Sequence, residues 1–312
     1  MKKQKKSNLL GTILLVVLLF ILIGIVASSG LKLYCYYADY SKDRNLHQEL
    51  RDEVVDNSEE IKAERTIKEE IQEEIQEEIQ NEEQNEEHLE NEISHNRRYL
   101  RKHFPKVPLT IDWKKLKEIN TDIIGWVYFT GLPQISYPIL QAEDNAYYLH
   151  RTFDLSEDSS KAGSIFMDYR MKDDFSSPYS VIYGHNVRDG SMLSDLALLK
   201  DQVLYDEKPY FWILTPNGNY RYQIFSIFQC HRSADVFQEY FDTWGTDFSN
   251  WLTILKSRNV MKGDVELPEK SHVIAFSTCV PNSYDRTIVC GIYIDGDAIS
   301  DPYPKTANKI AK

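Results

Sequence analysis

The sequence predicts a mainly β domain, a closed barrel of largely antiparallel strands, carried behind one membrane-spanning helix. Three observations lead there. An uncharged apolar run of 19 residues, Leu9 to Ala27, follows a lysine-rich tip. An acidic, low-complexity tract comes next. From about Asn96 onward, short runs of β-branched and aromatic residues alternate with turn residues, broken once by a helical pattern late in the chain.

The apolar run approaches the ~20 residues that a helix needs to cross a hydrocarbon core. Lys2, Lys3, Lys5 and Lys6 precede it, so the positive-inside tendency keeps the N-terminus in the cytoplasm and everything after Gly30 outside. Tyr34, Tyr36 and Tyr37 follow at the depth where amphipathic rings favour the interface. The competing reading is a leader cleaved near Ala27-Ser28-Ser29, for which the run is long. Residues 1–30 are read as cytoplasmic tip and signal anchor, and in either reading the working part is exported.

Residues 31–95 read as an acidic stalk. Ile67, Ile71, Ile75 and Ile79 recur every four residues within Glu-Glu-Ile-Gln repeats, a step that drifts ~40° per repeat on an ideal helix. That is no sustained heptad, although a short coiled coil remains open. Residues 51–95 hold 18 Asp/Glu against 4 Lys/Arg, while the whole chain of 312 residues carries a net −12. The folded part is therefore near neutral, and the net −12 argues against a nucleic-acid partner, which needs a basic surface. With 42% apolar residues the remainder can bury one sizeable core. Its four cysteines, Cys35, Cys230, Cys279 and Cys290, show no short-range pairing pattern and are expected as free thiols.

A domain over 96–305, with a tail at 306–312, accounts for the rest. Asp112 is placed to cap a helix whose apolar spacing runs to Ile119. Strands are expected at Gly125 to Phe129, Ser180 to Tyr183 and Tyr210 to Leu214. Asn217-Gly218 then turns a hairpin into Tyr220 to Phe228. Residues 235–256 switch to helical faces, and two last strands span His272 to Cys279 and Thr287 to Ile294.

Three of these segments end on groups with chemistry. Cys279 closes a strand whose alternation puts Val273, Ala275, Ser277 and Cys279 on one face. His185 follows Ser180 to Tyr183, and Arg286 opens the last strand seven residues after Cys279. Singly, a cysteine is ordinarily a small buried hydrophobe and a histidine or arginine an ordinary surface group. Together they supply a thiol nucleophile, a proton shuttle and an oxyanion donor, which acyl transfer through cysteine requires. No cluster has metal-ligand spacing, and no cofactor is expected.

In four ordered blocks the sequence resembles the class B sortases of Gram-positive bacteria. The blocks are Asp144-Asn-Ala-Tyr-Tyr-Leu149, Lys161-Ala-Gly-Ser-Ile-Phe-Met-Asp-Tyr-Arg170, Ile182-Tyr-Gly-His-Asn-Val-Arg-Asp-Gly-Ser-Met192, and Phe276-Ser-Thr-Cys279 with Arg286. The likeness runs from about Ile119 to Ile294. It implies an eight-stranded sortase barrel with an N-terminal helix and a helix inserted before the last strands. It further implies that Cys279 is the nucleophile, His185 the general acid and base, and Arg286 the oxyanion and substrate ligand. Ser277, Thr278, Asn145 and Leu149 would line the peptide groove. The implied partners are secreted proteins with a C-terminal sorting signal and a peptidoglycan precursor amine, joined by cleavage after threonine through a Cys279 thioester. Ala275-Phe276 stands where the family has Thr-Leu, and Pro281 where some members are acidic, so a third polar helper for His185 is left unassigned. Two other readings stay open: a membrane-tethered cysteine protease, and a catalytically silent stalked binding protein.

Overall fold

A computed structural model describes residues 2–56, 109–157 and 159–298. The Ile67 to Ile79 repeats, the expected start at Asn96 and the tail at 306–312 lie outside the described residues.

The chain begins with one helix, α1 (Lys2–Val54), whose stretch Leu18–Val54 is long and apolar enough to cross a membrane. Leu18, Phe20, Ile23 and Val26 are all exposed. Farther along, its character changes. Asp43, His47, Leu50 and Val54 recur at steps of four, three and four, share one face, and are buried. Leu50 and Val54 join Leu109, Ile111, Leu116 and Phe153 in one apolar cluster. The His47 ring lies 5.2 Å from Tyr137 and 4.8 Å from Phe153. Asp43 accepts from Ser160 Oγ at 2.7 Å, and ion pairs Lys42–Glu157, Lys161–Asp39 and Lys115–Glu53 line the margins of the contact. The strand β1 (Val55–Asp56) then pairs antiparallel with β2 (Thr110–Ile111). A stalk over 31–95 is therefore corrected at its near end: residues 39–56 pack on the domain. The cause is burial of a stripe that looks polar because two of its four members are Asp43 and His47.

Asp112 Oδ1 accepts from Lys115 N at 3.0 Å and caps α2 (Trp113–Ile119), as its spacing predicts. The barrel follows: β3 (Ile123–Phe129), β4 (Leu132–Leu140), β5 (Ile165–Met167), β6 (Tyr179–Tyr183), a short α3 (Gln202–Glu207), β7 (Tyr210–Thr215), β8 (Gly218–His231), α4 (Thr246–Ser257), β9 (Val273–Cys279) and β10 (Asp285–Ala298). Eight strands close in the order β10-β8-β7-β3-β4-β5-β6-β9. Only β4–β5 and β6–β9 are parallel. β4 and β5 were not expected from sequence. β4 carries Pro133 and Pro138, and Pro138 precedes the two residues that pair with β5, so it sits where β3 alone flanks the strand. β5 has three residues, too few to show a period.

The β7–β8 hairpin closes with Thr215 paired to Gly218, in keeping with the turn signal at Asn217-Gly218. α4 is the inserted helix, between the sixth and seventh barrel strands. It buries Phe248, Trp251, Leu252 and Leu255 against the core, and Ser226 Oγ donates to the Leu255 carbonyl at 2.6 Å. Inside, Phe129, Phe211 and Phe276 meet with centroids 5.0–5.1 Å apart. Cys35, Cys230, Cys279 and Cys290 are all free thiols.

Candidate functional site

Strand register brings the three chemical groups together. β6 runs parallel to β9 with a constant offset, from Tyr179 beside Val273 to Tyr183 beside Ser277. Two residues farther, the same offset carries His185 to the level of Cys279. On the other side of β9, antiparallel pairing sets Arg286 directly opposite Cys279. Directly opposed residues share a face, with Cβ atoms roughly 5 Å apart. Histidine, cysteine and arginine thus occupy one level across three adjacent strands, β6, β9 and β10.

Beyond β6, hydrogen bonds continue the alignment where the ladder stops. Gly184 N donates to the Ser277 carbonyl at 3.2 Å, Asn186 Nδ2 to the Cys279 carbonyl at 2.8 Å, and Leu193 N to the His185 carbonyl at 3.1 Å. The His185 ring is set by Leu149, whose carbonyl oxygen lies 2.7 Å from Nε2. A carbonyl only accepts, so Nε2 carries the proton and Nδ1 is left as the basic nitrogen. Among the described residues, the hydrogen-bond partner of the His185 ring is thus a backbone oxygen. Gly163 makes this possible: it has φ +55°, and a Cβ there would sit 2.3 Å from the Leu149 oxygen. Burial lowers the His185 pKa from its ordinary 6.5; the Leu149 bond opposes this, and the charges of His150 and Arg286 add to the lowering.

Around this level lies a cleft of about 300 Å³ lined by Asn145, Leu149, Phe166, Tyr183, Gly184, His185, Arg232, Phe237, Ser277, Thr278, Cys279 and Arg286. All seven residues expected at the site therefore line one cleft. Ser277 and Thr278 are buried in its wall, Cys279, His185, Arg286 and Asn145 are half-buried, and Leu149 is exposed. The Arg286 guanidinium donates to its neighbour's carbonyl, Asp285 O, at 3.0 Å. Asp285 instead accepts from Ser283 Oγ at 2.9 Å.

Behind the cleft sits a group that sequence reasoning passed over. Asp168 is fully buried and accepts from Arg170 Nε and Nη2 at 2.9 and 2.8 Å, from Asn145 Nδ2 at 3.0 Å and from Tyr183 OH at 3.0 Å. Arg170 Nη2 continues to the Phe237 carbonyl at 2.8 Å. One carboxylate thereby ties together three cleft walls: the Asn145 loop, the end of β6, and the Phe237 segment. Burial alone would raise its pKa, but Arg170 and the other donors outweigh that and hold it below the ordinary 3.8. The only signal in the sequence was the position of Asp168 and Arg170 within the Lys161 to Arg170 block.

No protein-family model matches the chain. Sortase B of Listeria monocytogenes is 34% identical over 166 residues, a stretch that is 53% of this chain and 66% of that relative. The solved structure titled sortase B from Listeria monocytogenes matches at 32% identity over 57% of this chain and 98% of its own, with a TM-score of 0.50. A Staphylococcus aureus sortase B–substrate complex matches at 27% identity over 60% of this chain and 85% of its own, TM-score 0.54. A sortase B complexed with triglycine matches at 27% over 60% and 86%, TM-score 0.53. Since the Listeria structure is matched over nearly all its length at 32% identity, and this chain closes an eight-stranded barrel, it belongs to the class B sortases.

Proposed function

We propose that the protein is a membrane-tethered cysteine transpeptidase that cleaves a C-terminal sorting motif after threonine and transfers the new acyl end to a cell-wall amine. The observation that carries this reading is the single level shared by His185, Cys279 and Arg286 across three neighbouring strands. Cys279 Sγ adds to the threonine carbonyl, and its proton passes to the basic nitrogen of His185. The oxyanion that forms is met by the Arg286 guanidinium, whose planar fork suits a charged oxygen. Collapse expels the downstream peptide as an amine, which takes the proton from His185 and leaves a Cys279 thioester. An incoming amine attacks that thioester and gives its proton to His185; the thiolate departs and is reprotonated. Ser277, Thr278, Asn145 and Leu149 hold the peptide along the cleft. The related sortases solved with a substrate and with triglycine support a peptide donor and an amine acceptor for this chain as well.

The apolar stretch of α1 anchors the enzyme with its lysines inside and its barrel outside. Protease added to intact protoplasts removes the barrel and spares the N-terminal lysines; protection of the barrel refutes this orientation. The reaction is tested with a panel of sorting peptides, with and without oligoglycine or diaminopimelate. The expected result is a Cys279 thioester trappable by hydroxylamine and diversion of product from free acid to amide as amine is added. Hydrolysis alone across several wall-type amines, with the natural substrate, replaces this reading with a surface protease.

A further inference from the structure

The cleft carries two guanidiniums, Arg232 and Arg286, and no carboxylate in its lining. Four other described arginines are each paired with a carboxylate: Arg44 with Asp189, Arg170 with Asp168, Arg221 with Asp295 and Arg258 with Asp235. Among the described residues, neither cleft arginine has a carboxylate within ion-pair reach. Two nearby carboxylates are otherwise engaged, Asp235 by both Arg258 nitrogens at 2.7 and 2.6 Å and Asp285 by Ser283.

Arg232 is nonetheless held in place. It follows the last rung of the β8–β10 ladder, His231 beside Asp285, and its N–H donates to the Tyr284 carbonyl at 3.0 Å. Its guanidinium carbon lies 4.7 Å from the centroid of the Tyr284 ring. That cation–π contact holds the guanidinium through its ring face, and no hydrogen bond from its N–H groups to a described residue competes with an anion for them. Cys230, Arg286 and Cys279 share one level. Arg232 lies two residues beyond it, roughly 7 Å along the strand and about 10 Å across from the nucleophile's backbone. Arg232 and Cys279 nonetheless line the same cleft.

We propose that Arg232 is a carboxylate subsite, selecting reaction partners that bear a carboxylate close to the reacting group. The inference rests on the transpeptidase reading and names a feature of its substrates. The carboxylate belongs either to the acyl acceptor, on or beside the carbon bearing the attacking amine, or to an acidic residue of the sorting peptide next to the scissile threonine.

The two sources are separated with the full chain in detergent, as wild type, Arg232→Gln and Arg232→Lys. One arm compares diaminopimelate with its diamide as acceptor; the other compares sorting peptides with Asp or Asn after the threonine. In the arm that supplies the carboxylate, wild type favours the charged form about three- to tenfold in kcat/KM, as fits one partly exposed charge-assisted contact. Arg232→Gln brings that ratio to about one, and Arg232→Lys restores part of it. Arg232 is exposed, so the variants threaten no core. Equal ratios in wild type and Arg232→Gln in both arms overturn the subsite while leaving the transpeptidase reading intact. Failure of wild type to form a Cys279 thioester with any peptide overturns the underlying reading, and the subsite with it.

Discussion

Replacing Asp168 by Asn keeps the shape of the side chain and removes its charge. Five donors now converge on the carboxylate: Nε and Nη2 of Arg170, the Arg170 N–H, Asn145 Nδ2 and Tyr183 OH. An amide offers them one oxygen and turns an NH₂ toward the rest, so donors face donors. Removing one partner of a buried ion pair costs about 3–5 kcal/mol. Arg170 is 30% exposed and regains some water, which reduces the expected loss to roughly 2–4 kcal/mol. In a domain of this size that corresponds to roughly 4–16 °C in Tm. The pH dependence has a defined sign. The folded pKa of Asp168 lies below its ordinary value, so its stabilisation is complete above about pH 4 and fades as pH falls through the folded value. The gap between wild type and Asp168→Asn in urea denaturation is therefore constant from pH 5 to 8 and closes in stronger acid. Because Asn145 and the Phe237 carbonyl lose a common tie, KM for the sorting peptide rises as well. A variant within 0.5 kcal/mol of wild type at neutral pH, with KM unchanged, refutes the idea that this carboxylate holds the cleft walls.

Three further outcomes are expected. Cys279→Ala and His185→Ala each abolish turnover with Tm near wild type, and Arg286→Lys loses most activity despite its charge; full activity in Arg286→Lys removes the oxyanion role. Leu50→Ala loses about 2–4 kcal/mol in denaturant, and a chain begun at Asn96 is less stable still; equal stability of the two lengths argues against the docked face of α1. The acid limb of kcat/KM falls below pH 6.5, because a lowered His185 pKa keeps the imidazole neutral farther into acid; a limb at or above 6.5 contradicts the burial that lowers it.

The legible parts of this molecule are those whose signal is local. Alternation in Val273 to Cys279, the turn at Asn217-Gly218 and the apolar faces of α4 each lie within one short window. Their counterparts in the structure differ mainly at the ends, where β8 and β10 run longer than the sequence patterns. β4 was hidden because its prolines speak against a strand unless one knows which neighbours it lacks. The docked end of α1 was hidden because Asp43 and His47 count as core only once Ser160, Tyr137 and Phe153 stand beside them. At the site, Cys279, His185 and Arg286 announced themselves as reactive groups at strand ends, with the family likeness to order them. The Leu149 carbonyl belongs to no side chain, and Asp168 acquires its role only where three distant segments meet, so neither has a pattern in one dimension.

The β1–β2 pair has a topological consequence. Val55 lies beside Ile111 and Asp56 beside Thr110, so the chain leaves the domain and re-enters it at the same place. Whatever lies between is an excursion with its two ends pinned together, and its length adds nothing to the distance between membrane and cleft. Under the anchored reading that distance belongs to α1, in which only about a dozen residues separate Ala27 from Asp39, or roughly 18 Å at 1.5 Å per residue. The barrel is then mounted low on a short, stiff mast, and its substrates must be presented close to the bilayer. Under that reading, lengthening or deleting repeats in the acidic tract leaves the height of the cleft where it was.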